Sequence, residues 1–321
     1  METKDSNPKN NLEIKTEEKE EGIGFFSKII NFIQQPFKGK EPKDETKIKN
    51  VRGGNIKCSC PKTKSKNYCD NIYEIISMGR NDKIDSKINL ELYLSLLKIH
   101  DNKLDTNGEN ITQIKKDLHR TFPSSLILKE ERMQGKLKNV LRAFSNFEPS
   151  LKYFQGMNFI VGFFLLHCEE YIAFWLFVSL LEDYDYRKIF MNDFAGMIYH
   201  VNKVKFLLSK YNNNCYKELE ECKINYQVFM MEWLYSLFSS LIPLDLQMSF
   251  YKGFFCEGWK FFYKMCLSII TSAKGTFGLP EEIYIVFKQG TLNEKVTEEF
   301  SQKYWKKIIQ EAYKINIDKL I

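Results

Sequence analysis

From Cys69 onward, apolar side chains recur at three- and four-residue spacing almost without interruption, which is the period of an α-helix. The spacing predicts helices over residues 88–99, 137–147, 158–168, 171–181, 197–208, 228–241, 246–256, 259–271, 281–289 and 294–313. In the first of these, Ile88, Leu92, Leu96 and Ile99 share one face. Residues 101–110 read as a polar loop, and a short helix opens at Ile111 or Thr112. Pro123 closes the turn after that helix, and Ser124 or Ser125 can cap the next one. No stretch alternates apolar and polar residues for long enough to make a strand. The pattern therefore predicts an all-α fold, and 16 glycines and 8 prolines in 321 residues argue against a sandwich of short strands.

The first 67 residues follow a different pattern and are expected to be a separate extension, with the folded domain over 68–321. Residues 1–21 are polar and charged with almost no large apolar side chain, and are expected to be disordered. In 22–37, Ile23, Phe26, Ile29, Ile30, Ile33 and Phe37 make an amphipathic helical pattern that Pro36 breaks. Residues 38–66 then carry ten Lys/Arg against three acids. An apolar face followed by a basic segment is suited to an anionic membrane surface, and equally to docking on the domain or on a partner.

Composition narrows the classes further. Hydrophobic content of 44% and aromatic content of 15% allow a sizeable core. The net charge of +6 comes largely from residues 38–66, so the chain lacks the broad basic face of a nucleic-acid binder. Eight cysteines without a signal peptide fit a reducing cytosol. No apolar run reaches the roughly 18 residues of a spanning helix, and 159–168 falls short of it. Cys58 and Cys60 with Cys69 supply three thiols and no neighbouring histidine, so free thiols are expected rather than a zinc site. Asp183, Asp185 and Asp193 read as helix-end and loop carboxylates, Cys215 and Cys222 as packing residues, and the four histidines are too scattered for a proton relay. Trp175 and Trp233 read as core, and Tyr304 and Trp305 as residues that pack the last helix down.

Two segments carry candidate chemistry. One contains Ile114-x-x-Asp117-x-x-Arg120-Thr-Phe-Pro123, the other Tyr153-Phe-Gln155-Gly156-Met157-Asn158. A guanidinium is a permanent, planar, five-donor charge suited to a transferring phosphoryl group. A carboxamide both donates and accepts hydrogen bonds, and so can orient an attacking water. The chain has no phosphate-binding loop of its own.

These segments resemble the I-x-x-D-x-x-R and Y-x-Q-G-M motifs of the TBC domains, which activate Rab-type small GTPases. Glu170 to Trp175 is similar to the family's E-x-x-A-F-W helix, and Tyr186, Phe190 and Phe194 to its Y-x-x-x-F-x-x-x-F stretch. Glu232 to Phe238 with Ile242-Pro243-Leu-Asp245 resembles W-F-x-x-L-F…L-P-L-E, and Phe254 to Gly258 resembles F-x-x-E-G. The chain departs from the family at the opening R-x-x-x-W, where Cys69 and Tyr73 stand, and at a W-D pair replaced by Tyr251 and Lys252.

The resemblance implies a multi-helix, two-lobed TBC-type domain that stimulates GTP hydrolysis by a Rab and so regulates vesicle trafficking. It implies Arg120 and Gln155 as catalytic fingers supplied in trans, with Ile114, Asp117, Tyr153 and Gly156 in support. Asp117 would hold Arg120, and Gly156 would let the backbone approach the partner without a Cβ in the way. No cofactor is implied, since GTP and Mg²⁺ belong to the GTPase, and no nucleic acid is expected as a partner. The expected location is the cytoplasm, with peripheral attachment to an endomembrane through 22–66. The competing expectation is a catalytically inactive module that binds a GTPase or a scaffold.

Overall fold

The computed structural model describes residues 86–98, 109–151, 153–191, 194–274, 278–292 and 296–321. The readings of the 1–67 extension, its boundary with the domain, Cys58, Cys60, Cys69, Tyr73 and Asp193 lie outside the described residues. Among the described residues every regular element is a helix. In chain order these are α1 (Ser86–Lys98), α2 (Glu109–Leu118), α3 (Leu126–Lys129), α4 (Glu131–Phe147), α5 (Met157–Leu165) and α6 (Glu170–Asp183). A 3₁₀ turn (Tyr186–Phe190) follows. Then come α7 (Ala195–Tyr211), α8 (Asn213–Glu221), α9 (Tyr226–Ser236), α10 (Leu244–Glu257), α11 (Trp259–Ser272), α12 (Pro280–Gln289) and α13 (Glu298–Lys314).

The helices form two packed groups. In the first, α4 lies against α1, α2, α3, α5 and α6; in the second, α11 lies against α7, α10 and α13. The α5–α9 contact and the 3₁₀ turn, which touches α6, α7 and α9, join the groups. The joining helices are largely apolar. All of α5 except Phe159 is buried, as is most of α9, because a helix apolar on all sides must be covered on all sides. Polar side chains cap the surrounding helices. Ser125, Asn212, Asn225 and Thr297 each accept a backbone N–H from the first turn of α3, α8, α9 and α13 respectively.

Two expectations from periodicity are corrected. In α1, Tyr93 and Leu96 face the core while Leu92 is exposed, so the buried stripe is rotated from the one the spacing predicted. The rotation lets the Tyr93 hydroxyl donate to Glu170 Oε1 at 2.5 Å, a bond a leucine cannot make. Helix α9 stops at Ser236 rather than continuing to 241, because Leu237 and Phe238 adopt left-handed backbone at φ 45° and 59°. Left-handed conformation costs a non-glycine residue roughly 1 kcal/mol or more. Full burial of Phe238 against Trp233, Phe250 and Phe262 offsets it, at about 1.5–3 kcal/mol for a large apolar side chain.

Trp233 and Trp305 are core residues, whereas Trp175 is only half-buried, edge-on to Phe147 and Phe174. Tyr251, in place of the family's tryptophan, is fully buried and stacks on Phe163 at 4.5 Å. Its hydroxyl lies 2.8 Å from Ser239 Oγ, so the substituted ring fills its site with its polar end satisfied. His200 is buried beside the Tyr263 hydroxyl, and burial pushes its pKa down to about 3, as for a neutral core histidine.

Candidate functional site

The arginine segment is a helix end folded back on itself. Ile114 is fully buried and roots α2 in the core. After Leu118 the chain turns tightly, with Arg120 N donating to Asp117 O and Thr121 N to Leu118 O, both at 3.2 Å. The Thr121 hydroxyl adds a bond of 2.8 Å to the same Asp117 carbonyl, satisfying one of the helix's orphan acceptors. Phe122 takes a left-handed φ of 48° and drives its ring inward, edge-on to Phe159 at 5.2 Å. With its neighbours anchored on both sides, Arg120 stays on the surface, its side chain 47% exposed while that of Asp117 is 1% exposed.

The Asp117 carboxylate joins this turn to the glutamine segment. Oδ1 accepts Arg120 Nη2, and Oδ2 accepts the Tyr153 hydroxyl at 2.7 Å and Gln113 Nε2 at 3.3 Å. Tyr153 is buried, and burial first, then the Asp117 charge, holds its pKa well above the usual phenol value, so it remains a donor. Asn158 closes the network. Its Oδ1 lies 3.1 Å from the Tyr153 hydroxyl and accepts Gly156 N at 3.0 Å, while its Nδ2 donates to Thr121 Oγ1 at 2.8 Å. Asp117, Thr121, Tyr153 and Asn158 thus form one buried polar ring in which every member is bonded.

Gln155 stands on the loop above this ring. Phe154 packs between the rings of Phe190 at 5.3 Å and Tyr235 at 5.9 Å. Gly156 sits at φ 119°, and a Cβ there would lie 2.6 Å from the Tyr235 carbonyl oxygen. Within the chain, the close approach that requires this glycine is to α9. Gln155 is half-buried and its side chain has no hydrogen-bond partner among the described residues. The arrangement thus holds a partly exposed guanidinium, tethered through one of its five donors, and an uncommitted carboxamide on two segments that share one carboxylate.

Thr121 and Asn158 were not among the site residues read from the sequence. The signal for Asn158 was present: it is a lone amide in the apolar run of α5, and a buried amide must find partners. Asp117→Asn, which places an N–H₂ among groups that all donate, is expected to cost about 1–3 kcal/mol of stability. Thermal denaturation measures the loss, and an unchanged midpoint would contradict the ring.

The Rab-GTPase-TBC domain family profile matches residues 71–276. The chain is 29% identical over 207 residues to mouse TBC1 domain family member 4, covering 63% of this chain and 16% of that protein. It is 30% identical over 160 residues to human TBC1 domain family member 1, covering 49% and 14%. With Rab GTPase-activating protein eat-17 of Caenorhabditis elegans it shares 26% identity over 208 residues, 64% of this chain and 22% of that one. The fold is shared with the Chlamydomonas flagellar RabGAP TBC domain, at TM-score 0.59 and 18% identity over 94% of this chain and 96% of that one. It is shared also with the Ypt/Rab-GAP domain of Gyp1p, at TM-score 0.56 and 16% identity over 71% and 79%.

Described residues whose regular elements are all helices and a profile match over most of the chain define the class: the chain belongs to the Rab-GTPase-TBC domain family. It spans less than a quarter of the length of the mouse, human and nematode relatives named above. No described helix is long and apolar enough to cross a membrane.

Proposed function

We propose that the protein is a GTPase-activating protein for a Rab-type small GTPase and that Arg120 and Gln155 act on the partner's nucleotide. In this reading Arg120 enters the GTPase site and stabilises charge that shifts between the β- and γ-phosphates during hydrolysis. A finger arginine is worth about 10³–10⁵ in rate. Gln155 positions the attacking water, while GTP, Mg²⁺ and the switch loops belong to the GTPase. The observation that carries the reading is the buried Asp117 carboxylate, which grips Arg120 with one oxygen and the Tyr153 hydroxyl with the other. The guanidinium is thereby held on the surface, and the loop that carries Gln155 is tied to the same carboxylate through Tyr153. The relatives named as Rab GTPase-activating proteins support the same activity.

By this account the protein works in the cytoplasm, where Rab inactivation regulates vesicle trafficking; residues 22–66 serve either peripheral attachment to an endomembrane or docking on the domain or a partner. The test is a panel of Rab proteins preloaded with GTP, with phosphate release followed in a single turnover. At least one Rab is expected to hydrolyse GTP faster. A Rab that binds without acceleration would support the inactive docking module instead, and no effect on any Rab would refute the activator reading.

A further inference from the structure

The short helix that follows the Arg120 turn displays the most exposed large apolar side chain among the described residues. Leu126 is 81% exposed and its neighbour Ile127 54%. Isolated apolar residues on a surface are ordinary. This pair is adjacent and rigidly held. The Ser125 hydroxyl accepts Leu128 N at 3.3 Å, Ser125 N donates to Phe122 O at 2.9 Å, and Leu128 is buried at 2% exposure. Phe122 and Leu128 thus fix both sides of the tip in the core, so Leu126 and Ile127 cannot turn inward to hide.

The position of the tip identifies what covers it. Leu126 is six residues beyond Arg120 in the chain. Even a fully extended chain of that length spans only about 20 Å, and the two tight turns between them shorten it. A partner burying about 800 Å² per side covers a disc of roughly 16 Å radius. The tip thus lies at a distance from Arg120 comparable to that radius, and a GTPase seated with its phosphates at Arg120 and its body over α3 covers it.

Resting on the activator reading above, we infer that Leu126 and Ile127 anchor the partner GTPase by entering an apolar surface beside its nucleotide site. They supply affinity, and Arg120 supplies chemistry. Exposed Lys129, Glu130 and Glu131 form the polar rim expected around such an anchor.

The test uses the full chain with L126S/I127S and a GTPase that the wild type accelerates. Both positions are exposed, so the fold should survive, and an unchanged melting midpoint checks this. KM is expected to rise about 10- to 100-fold with kcat retained, as for the loss of one or two buried aliphatic contacts at roughly tenfold per 1.4 kcal/mol. An unchanged KM, or a fall in kcat alone, would overturn the anchor while leaving the activator reading intact. A shift in self-association with no change in KM would likewise overturn it, because the tip would then serve a second copy of this chain. If the wild type accelerates no GTPase, the activator reading fails. The anchor is then judged by binding to GTP-loaded GTPase, and equal Kd for variant and wild type overturns it.

Discussion

Arg120→Ala is expected to lower the acceleration of the partner's GTP hydrolysis by about 10³-fold or more while the two proteins still associate. The expectation rests on the geometry of the turn. Arg120 is half-exposed and, among the described residues, its side chain is held by Asp117 alone, so removing it takes away little packing. The carboxylate left behind keeps the Tyr153 hydroxyl and Gln113 as donors but loses its charged partner while almost fully buried, so the variant is expected to lose some stability as well. A loss of rate measured well below the variant's melting midpoint separates the chemical role from this structural one. Arg120→Lys adds a second discrimination. Lysine keeps the charge but loses the planar fork, so it should recover little of the lost rate if bidentate contact with phosphate oxygens is what matters. Full acceleration by Arg120→Ala would remove Arg120 from the mechanism.

The helices were legible because their cores need a 3.6-residue stripe, and a stripe is a property of sequence. What was not legible shows where that inference stops. The spacing of Leu92 and Leu96 fitted one face of α1, but Tyr93 turns inward in place of Leu92, against Phe174 and within a hydrogen bond of Glu170, partners 81 and 77 residues away. The predicted extension of α9 to residue 241 failed for a similar reason. Leu237 and Phe238 have ordinary helical spacing, yet the cavity between Trp233, Phe250 and Phe262 takes Phe238 only if the backbone turns left-handed. In both cases a tertiary contact outweighed a local preference.

The site divides along the same line. Arg120, Gln155, Asp117 and Tyr153 were readable because their types and spacing carry a motif. The bonds among them were not, because Asp117 and Tyr153 are 36 residues apart and only the packing of α2 against α5 brings them together. Asn158 joins Thr121 across 37 residues, a contact that nothing in the local spacing announces. The neighbour that Gly156 faces within the chain was not legible either: its missing Cβ makes room for the Tyr235 carbonyl, on a helix about 80 residues further on.

That neighbour makes Gly156→Ala the most informative change in the glutamine segment. A φ of 119° lies well outside the conformations an alanine adopts, at a cost of roughly 1–3 kcal/mol. The added Cβ would also lie 2.6 Å from Tyr235 O and 2.8 Å from Tyr235 C, both backbone atoms of α9 that cannot swing aside. The loop must therefore move, and the bond from Gly156 N to Asn158 Oδ1 lengthens as it does. Gln155 moves with it, and a shift of about 1 Å at a positioned catalytic group is enough to cost about 10²-fold in rate. Gly156→Ala should thus lower both the melting midpoint and kcat, although Arg120 and its carboxylate are untouched. A double-mutant cycle identifies the route. If the rate loss passes through Gln155, adding Gly156→Ala to Gln155→Ala lowers the midpoint again but slows hydrolysis little further. Fully additive rate losses would instead mean that the loop backbone acts on the GTPase independently of the carboxamide.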